Sequence, residues 1–180
     1  MPLFTLKDRV DSKRVHEGDI INLRLDTVRL DTGAQVTREV VEHNGGVVIA
    51  AQPKKNSLIL IRQYRYSVDE ELIELPAGRL ERGELPLPAA QRELREETGF
   101  HANTWVDLAP MFTAPGFCNE ILYLYGASEL TFVGKDLDED EETEVLEVSL
   151  QDAWELVRAG KIRDAKTIAG IGLCSNRLHE

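Results

Sequence analysis

Apolar and polar residues alternate along residues 19–48, which is the period expected of strands with one buried face. Ile21 and Leu23 begin this pattern, and residues 31–33, Asp-Thr-Gly, interrupt it with a turn signal. We therefore expect a hairpin or a small antiparallel sheet. A continuous apolar run then predicts a buried strand at residues 46–51.

Shorter apolar segments, separated by Gly, Pro and charged residues, continue towards the C-terminus. A helical segment begins near Pro88, whose fixed φ suits a first turn, and ends at Gly99, a residue typical of the position after a helix. We expect strands at residues 58–63, 71–75, 105–111, 120–129 and 145–150, and two further helices at residues 150–160 and 164–178. Strands mixed with helices in this order indicate an α/β or α+β sandwich.

The charge of the chain narrows the classes of function. Its formal net charge is −11, and a chain this acidic repels bare nucleic acid and anionic membrane surfaces. It can still bind a phosphorylated substrate if divalent cations lie between the two. Cys118 and Cys174 show no metal-ligand spacing, so we expect reduced thiols. No apolar run reaches the ~18 residues of a membrane span, and residues 7–9 are charged where a signal peptide would be apolar. We therefore expect a cytoplasmic protein.

One segment between residues 78 and 100 has a spacing that chance does not explain. It reads Gly78, five residues, Glu84, seven residues, Arg92-Glu93-Leu94, one residue, Glu96-Glu97, one residue, Gly99-Phe100. A run of charge is usually a solvated helix face. Apart from the apolar positions Leu94 and Phe100, seven residue types are fixed at set positions, and this match has chance odds on the order of one in a hundred thousand.

The helix predicted over residues 88–98 places three carboxylates on one side. Glu93 and Glu97 are four residues apart, and Glu93 and Glu96 are three apart, so all three project in one direction. Like charges at this spacing weaken an isolated helix by a few tenths of a kcal/mol per pair. A divalent cation would neutralise them, since carboxylate oxygens are the ligands that Mg²⁺ and Mn²⁺ prefer.

The segment matches the Nudix box in full, and on this basis the chain resembles the Nudix hydrolases. The resemblance implies an α/β fold, the Nudix α/β/α sandwich with a mixed sheet, in which the box forms a loop, a helix and a second loop. Glu93 and Glu97 would be the principal metal ligands, Glu96 would share that role, and the carbonyl of Ala77 would add an oxygen. We expect two or three Mg²⁺ ions per site, with Mn²⁺ able to substitute. These ions would lower the pKa of a bound water molecule, which then attacks a diphosphate.

The other box residues would support these ligands. Arg92 resembles the arginine that orients the glutamates by salt bridges, and Glu84 resembles the residue that braces the loop. Gly78 allows the backbone to approach the metal closely, and Gly99 ends the helix.

Motifs outside the box are similar to those of the ADP-ribose pyrophosphatase branch of the family. Residues 63–65, Gln-Tyr-Arg, and residues 74–78, Glu-Leu-Pro-Ala-Gly, precede the box, and Pro115 follows its end by fifteen residues, as in that branch. A plain turn at residues 115–116 is the alternative. The resemblance implies substrate contacts from Arg65, Arg79, Pro115, Gly116 and Glu120.

Residues 38–43 resemble the segment with which this branch supplies an arginine and a glutamate across a dimer interface. The alternative is that Arg38 and Glu39 are an exposed pair on a strand. In the family the small N-terminal antiparallel sheet is exchanged between subunits. We therefore expect a homodimer, with residues 1–42 as the dimerisation element and residues 43–180 as the hydrolase domain.

The acidic stretch at residues 138–144 lies where this branch keeps a mobile loop with a further glutamate. Glu141, Glu142 and Glu144 are candidates for the general base, because a carboxylate committed to metal is a weak base. The alternative is a solvated loop that serves solubility.

Two classes of function remain open. The first is hydrolysis of a nucleoside diphosphate sugar, with ADP-ribose cut to AMP and ribose 5-phosphate, or with GDP-mannose as a close variant. The second is a non-catalytic sensor of ADP-ribose that controls a partner, and the complete glutamate set argues against it. The sequence does not fix the preferred base or sugar, since base contacts are few and lie on loops.

Overall fold

The structure, a computed structural model, describes residues 4–135 and 143–177, with side chains to Ser175. These residues form two compact units. The first comprises the described residues up to Gly45 together with Phe112–Ile121. The second comprises Gly46–Met111 and the described residues from Leu122 onward.

The first unit is built on a three-stranded antiparallel sheet in the order β1-β2-β3. Its strands are β1 (Arg9–Glu17), β2 (Ile21–Arg29) and β3 (Gln35–His43). The hairpin expected around residues 31–33 is confirmed, because β2 and β3 pair in continuous antiparallel register. The sequence did not predict β1, since all nine of its residues are exposed and no burial period marks them.

The segment Phe112–Ile121 joins the first unit through hydrogen bonds to β3. Val41 N–H donates to the carbonyl of Phe117 (2.7 Å), and Asn119 N–H donates to the carbonyl of Val41 (3.1 Å). The expected division into residues 1–42 and 43–180 differs from the compact units by this segment and by three residues at the boundary. Sequence order alone does not reveal such a non-local contact.

The second unit contains two sheets and three helices. One sheet has the order β7-β4-β9-β8 and the other β10-β5-β6. The elements are β4 (Gly46–Ala51), β5 (Ser57–Arg65), β6 (Glu70–Glu74), β7 (Ala77–Arg79), α1 (Pro86–Thr98), β8 (Phe100–Phe112), β9 (Ile121–Phe132), β10 (Glu144–Ser149), α2 (Leu150–Arg158) and α3 (Ala165–Arg177). The mixed character of the fold is confirmed, because β4 is parallel to β9 and antiparallel to β7.

The strand β4 is buried along its whole length and separates two apolar clusters. Val47 and Ile49 pack in one cluster with Ala90 and Leu94 of α1. Val48 and Ala50 pack in the other, which contains Ala153 of α2 together with Ile171 and Cys174 of α3. Helices therefore cover both faces, and the expected α/β/α sandwich is confirmed. No helix within the described ranges is long and apolar enough to cross a membrane.

The helix α1 begins two residues earlier than expected, at Pro86 rather than Pro88. Proline suits the first position of a helix because a backbone N–H there has no intrahelical acceptor, so its loss removes no hydrogen bond. This argument, made for Pro88, applies to Pro86. The end at Gly99 is confirmed, because this residue has φ +77° in the left-handed region and its N–H donates to the carbonyl of Arg95. Residues 77–79, expected within a loop, form the short strand β7.

The helix α3 packs closely against Leu75, the residue that follows β6. A Cβ atom on Gly170 would lie 2.4 Å from the Cδ1 of Leu75, whereas one on Gly172 would meet only Trp154, at 3.9 Å. A methyl group at position 170 would force the fully buried side chain of Leu75 to shift, whereas one at position 172 would make an ordinary van der Waals contact.

We expect a Gly→Ala substitution to have different effects on the free energy of unfolding at positions 170 and 172. Gly170→Ala should lower the free energy of unfolding, because overpacking costs about 1–3 kcal/mol and outweighs the gain in helix propensity. Gly172→Ala should leave stability unchanged or raise it by up to ~1 kcal/mol. Urea unfolding of both variants measures this, and equal effects at the two positions would contradict the packing described.

Candidate active site

The helix α1 buries two glutamates. Its apolar residues Ala90 and Leu94 pack into the core, and this fixes the rotation of the helix. Glu93 and Glu97 lie next to that apolar face and are only 8% and 2% exposed. Carboxylates are rarely this buried without partners. The burial therefore indicates a site built around their charge.

Glycine at position 78 is required by the carboxylate of Glu93. A Cβ atom on Gly78 would lie 1.8 Å from the carboxyl carbon of Glu93, so any other residue would displace this carboxylate from its bond to Arg92. Gly46 on the neighbouring β4 meets the same constraint, since its Cβ would lie 2.7 Å from the carbonyl oxygen of Gly78. The backbone at Gly78 thus lies close to the carboxylate of Glu93 on α1, and the expected approach of Gly78 to a metal stays a prediction.

The carboxylate of Glu97 holds the chain where β7 begins. Its Oε2 accepts a hydrogen bond from the backbone N–H of Ala77 (2.9 Å). The preceding carbonyl, that of Pro76, accepts from the N–H of Ile49 on β4 (2.8 Å). Ala77 is therefore fixed between α1 and the central strand.

Arg92 connects the remaining box glutamates. Its Nε and Nη2 donate to the two oxygens of Glu84 (3.1 and 3.0 Å), and its Nη1 donates to Glu93 (2.8 Å) and Glu96 (2.9 Å). The bond to Glu84 is the main reason that the pKa of Arg92 is raised, with Glu93 and Glu96 adding to it against partial burial. The same bond lowers the pKa of Glu84. One guanidinium thus gathers three carboxylates.

The donor types at this place fit a hard divalent cation. The side chains of Glu93, Glu96 and Glu97, with the carbonyl of Ala77, would supply oxygen ligands of the kind that Mg²⁺ and Mn²⁺ take. Within residues 4–135 and 143–177, no three acidic, His or Cys side chains are gathered closely enough to hold a metal by themselves. Glu93 and Glu96 both accept hydrogen bonds from Arg92, so a cation would share these carboxylates with it.

Arg65, expected to bind substrate, is held by a buried glutamate. Its Nε and Nη2 donate to the two oxygens of Glu74 (3.0 and 2.8 Å), and Lys166 also pairs with Glu74. Glu74 is 1% exposed. Burial opposes its ionisation, but the hydrogen bond from Arg65 and the charge of Lys166 outweigh burial, so the pKa of Glu74 is lowered. Arg79 is exposed on β7, and its carbonyl accepts from Nη2 of Arg92 (3.2 Å).

The other expected substrate residues belong to the first unit. Arg38 and Glu39 are exposed on β3, and the guanidinium of Arg38 lies 4.9 Å from the ring centroid of Phe4. Pro115 and Gly116 form an exposed turn. Glu120 accepts a hydrogen bond from the hydroxyl of Thr113 (2.7 Å). Their roles towards substrate stay predictions.

Of the three candidates for the general base, Glu144 is the one among the described residues. Glu141 and Glu142 lie outside the described residues. Glu144 begins β10 and pairs with Arg62 on the face shared by Leu146 and Val148, whereas Val145 points to the cluster packed under α1. The carboxylate of Glu144 is therefore directed away from the face of α1. This placement argues against Glu144 as the base.

Lys135 and Thr143, the described residues on either side of residues 136–142, are bonded to each other, and Thr143 is also bonded to α1. Lys135 Nζ donates to the carbonyl of Thr143 (2.6 Å), and the hydroxyl of Thr143 donates to the carbonyl of Glu97 (2.8 Å). No feature of the sequence singled out Lys135 or Thr143. It also did not single out Lys166 and Thr167, although an Asp three residues before Thr167 is a recognisable start of a helix.

Two family models cover most of the chain. The model described as NUDIX domain matches residues 42–170, and that described as nucleoside diphosphate sugar hydrolase N-terminal domain matches residues 8–41. The chain is 38% identical over 164 residues to the ADP-ribose pyrophosphatase of Bacillus subtilis (strain 168), covering 90% of this chain and 89% of that protein. It is 36% identical over 176 residues to the GDP-mannose pyrophosphatase of Cronobacter sakazakii (strain ATCC BAA-894), covering 91% and 90%.

The fold is also found among solved structures. A crystal structure of an ADP compounds hydrolase superposes with a TM-score of 0.84, covers 95% of this chain and 93% of its own, and is 22% identical in sequence. At this identity the likeness supports the fold alone.

The geometry of Arg92 predicts that lysine cannot replace it. Arg92→Lys should lower kcat roughly 10- to 100-fold and lower the melting temperature, because one ammonium cannot reach Glu84, Glu93 and Glu96 together. Steady-state kinetics and a thermal melt measure this. Arg158→Lys is the matched control, since Arg158 forms an exposed pair with Glu155 on α2 that should contribute little. Near-normal kcat in Arg92→Lys would show that its forked geometry is not needed.

Proposed function

The chain belongs to the NUDIX domain family and is a Nudix pyrophosphohydrolase, and we propose that its substrate is a nucleoside diphosphate sugar, ADP-ribose above all. The reaction is addition of water across the diphosphate. ADP-ribose would give AMP and ribose 5-phosphate, with one bridging P–O bond broken and one P–O bond formed to the water oxygen.

One observation carries this proposal. Arg92 bonds to Glu84, Glu93 and Glu96, and Gly78 on β7 leaves room for the carboxylate of Glu93. Carboxylates that share one guanidinium are stabilised in their charged form by it. A binding protein has no need of this arrangement. The complete set therefore favours hydrolysis over a non-catalytic sensor of ADP-ribose.

Each group would have a distinct task in the reaction. Glu93, Glu96, Glu97 and the carbonyl of Ala77 would hold Mg²⁺ or Mn²⁺, two or three ions in all, which neutralise the diphosphate and make water a better nucleophile. Arg92 holds Glu93 and Glu96 in place, and Glu84 holds Arg92. Arg65, fixed by Glu74, would bind a phosphate oxygen, because its guanidinium is always charged. Arg79, Pro115, Gly116 and Glu120 would make further substrate contacts.

We place the general base at Glu141 or Glu142. Both lie within two residues of Thr143, whose hydroxyl donates to the carbonyl of Glu97 in the last turn of α1, the helix of the proposed metal ligands. Neither is adjacent to a box ligand in sequence. Either carboxylate could accept the proton of the attacking water.

A second substrate has support of its own. The relative from Cronobacter sakazakii bears the name GDP-mannose pyrophosphatase and matches nearly the whole chain. Hydrolysis of GDP-mannose would use the same chemistry at the diphosphate and differ in contacts to base and sugar. A comparison of substrates therefore decides between the two.

We propose that the active protein is a homodimer. The edge strand β1 is exposed at every residue, and apolar side chains at Val10, Val15 and Ile20 of the first unit are 43–54% exposed. Exposed apolar groups on an unpaired strand edge suit a second copy, and twofold dimers are the commonest assembly. Arg38 and Glu39 would then act on the substrate of the neighbouring subunit.

The free thiols support a reducing compartment such as the cytoplasm. Cys118 and Cys174 form no disulfide, and burial raises the pKa of the Cys174 thiol to about 11. A thiol of this kind is unreactive near neutral pH.

The substrate is tested with a panel of nucleoside diphosphate sugars in Mg²⁺ and in Mn²⁺. We expect ADP-ribose to have the highest kcat/KM and to yield AMP and ribose 5-phosphate, identified by chromatography. A higher kcat/KM for GDP-mannose would support the second substrate. Cleavage of dinucleoside polyphosphates without cleavage of any sugar nucleotide would contradict both.

The base is tested by Glu→Gln changes at positions 141, 142 and 144. One of Glu141→Gln and Glu142→Gln should lower kcat roughly 10²- to 10⁴-fold with little change in KM, which is the usual contribution of a general base. Glu144→Gln is the control and should keep near-normal kcat, because its carboxylate pairs with Arg62 on the other face of the sheet. Mild effects at all three positions would remove the acidic stretch from the chemistry.

The dimer is tested by complementation. Arg38→Ala and Glu97→Gln homodimers should each be nearly inactive. Mixed dimers should regain activity, because both lesions fall on one composite site and the other site is intact. Light scattering that gives the 20.2 kDa monomer mass for the active species would contradict the dimer. Inactive mixed dimers would show that Arg38 serves its own subunit.

A further inference from the structure

A buried threonine in the first turn of α3 reaches the segment that leads into the box. The hydroxyl of Thr167 accepts from the backbone N–H of Leu75 (2.9 Å) and donates to Oδ2 of Asp164 (2.6 Å). Asp164 also accepts from the N–H of Thr167 (2.9 Å), which fixes the turn. Thr167 is fully buried, so water does not substitute for either partner. The N–H of Leu75 therefore depends on this one hydroxyl.

Lys166, the residue before Thr167, binds Glu74, the residue before Leu75. Lys166 pairs with Glu74, and its Nζ also lies 2.9 Å from Oδ2 of Asp164. Glu74 is buried and receives two bonds from Arg65 as well. A buried carboxylate needs such partners, because an unpaired charge there is strongly unfavourable. Two consecutive residues of α3 thus fix two consecutive residues, Glu74 and Leu75.

These anchors lie immediately before the expected ligands. Pro76 is bonded through its carbonyl to Ile49, and Ala77 through its N–H to Glu97. Every residue from 74 to 77 is therefore fixed by a named partner. A shift of Leu75 would move Ala77 and disturb the carboxylate of Glu97 that bonds to it.

We propose that Lys166 and Thr167 are positioning residues, which hold the turn of residues 74–77 so that the Ala77 carbonyl and the Glu97 carboxylate bind metal together. This rests on the proposed function, in which Ala77 and Glu97 are metal ligands. Neither residue of α3 touches the substrate. Their effect is on the geometry of the ligand set, as is usual for groups that hold metal ligands in orientation.

The test is a titration of the substrate-free protein with Mn²⁺ alone. Electron paramagnetic resonance measures the concentration of free Mn²⁺, which gives the dissociation constant. Thr167→Val keeps the shape of the side chain and removes the acceptor, so the dissociation constant for Mn²⁺ should rise about 10-fold. Thr167→Ser keeps the hydroxyl and should bind Mn²⁺ like the wild type. Thermal melts of all variants accompany the titration.

Ile171→Val separates positioning from a general loss of stability. Ile171 is fully buried in the same helix, so its truncation should lower the melting temperature while the affinity for Mn²⁺ stays at the wild-type value. Wild-type affinity in Thr167→Val would overturn the inference. An equal loss of affinity in Ile171→Val would overturn it as well, since any weakening of α3 would then suffice.

Lys166→Met provides a second variant if Thr167→Val does not fold, because Arg65 still pairs with Glu74 there. It should weaken Mn²⁺ binding, and Lys166→Arg should restore it; unchanged affinity in Lys166→Met would overturn the inference. A wild-type protein that binds no Mn²⁺ would defeat the proposed function and the inference with it. Failure of the inference alone leaves wild-type binding intact.

Discussion

The mutual repulsion of three glutamates on one helix is the constraint on which the rest of this structure depends. Glu93, Glu96 and Glu97 lie within one turn of α1, and two of them are buried, where charge repulsion is least screened. Arg92 offsets this repulsion by bonding to two of them, and Glu84 holds Arg92 from the loop. The helix is thus kept ready for a cation that would neutralise the cluster more completely.

The backbone around α1 is shaped to admit this cluster. Gly46 and Gly78 lack side chains because the carbonyl of Gly78 and the carboxylate of Glu93 occupy the space that a Cβ would need. On the other face, Gly170 allows α3 to reach Leu75, so the helix that fixes the turn of residues 74–77 lies in direct contact with it. Close approach on both sides leaves the site little freedom to relax, which is what precise orientation of ligands requires.

The sequence predicted what depends on local spacing. The common direction of the glutamates follows from the helical period of 3.6 residues. The hairpin of β2 and β3 follows from alternation and a turn signal, the buried strand β4 from its apolar run, and the end of α1 from the glycine at position 99. What it could not predict depends on contacts between distant residues. The strand β1 buries nothing, the segment Phe112–Ile121 joins β3 through hydrogen bonds from Val41 and Asn119, and Glu144 faces away from α1 because of its register with Arg62. Thr167 and Lys166 bond to residues some ninety positions earlier in the sequence, and no local pattern identifies these partners.

The central claim is that the carboxylates of α1 bind the metal ions that water requires to hydrolyse the diphosphate. The most direct measurement is the rate of ADP-ribose hydrolysis against Mg²⁺ concentration for the wild type and Glu97→Gln, with a thermal melt of each metal-free protein. We expect the wild type to need the metal, and Glu97→Gln to lose at least roughly 10²-fold in kcat at saturating Mg²⁺. The melting temperature should stay equal or rise, because a like charge is removed. Near-normal kcat in Glu97→Gln, or wild-type activity that persists in excess chelator, would contradict the account.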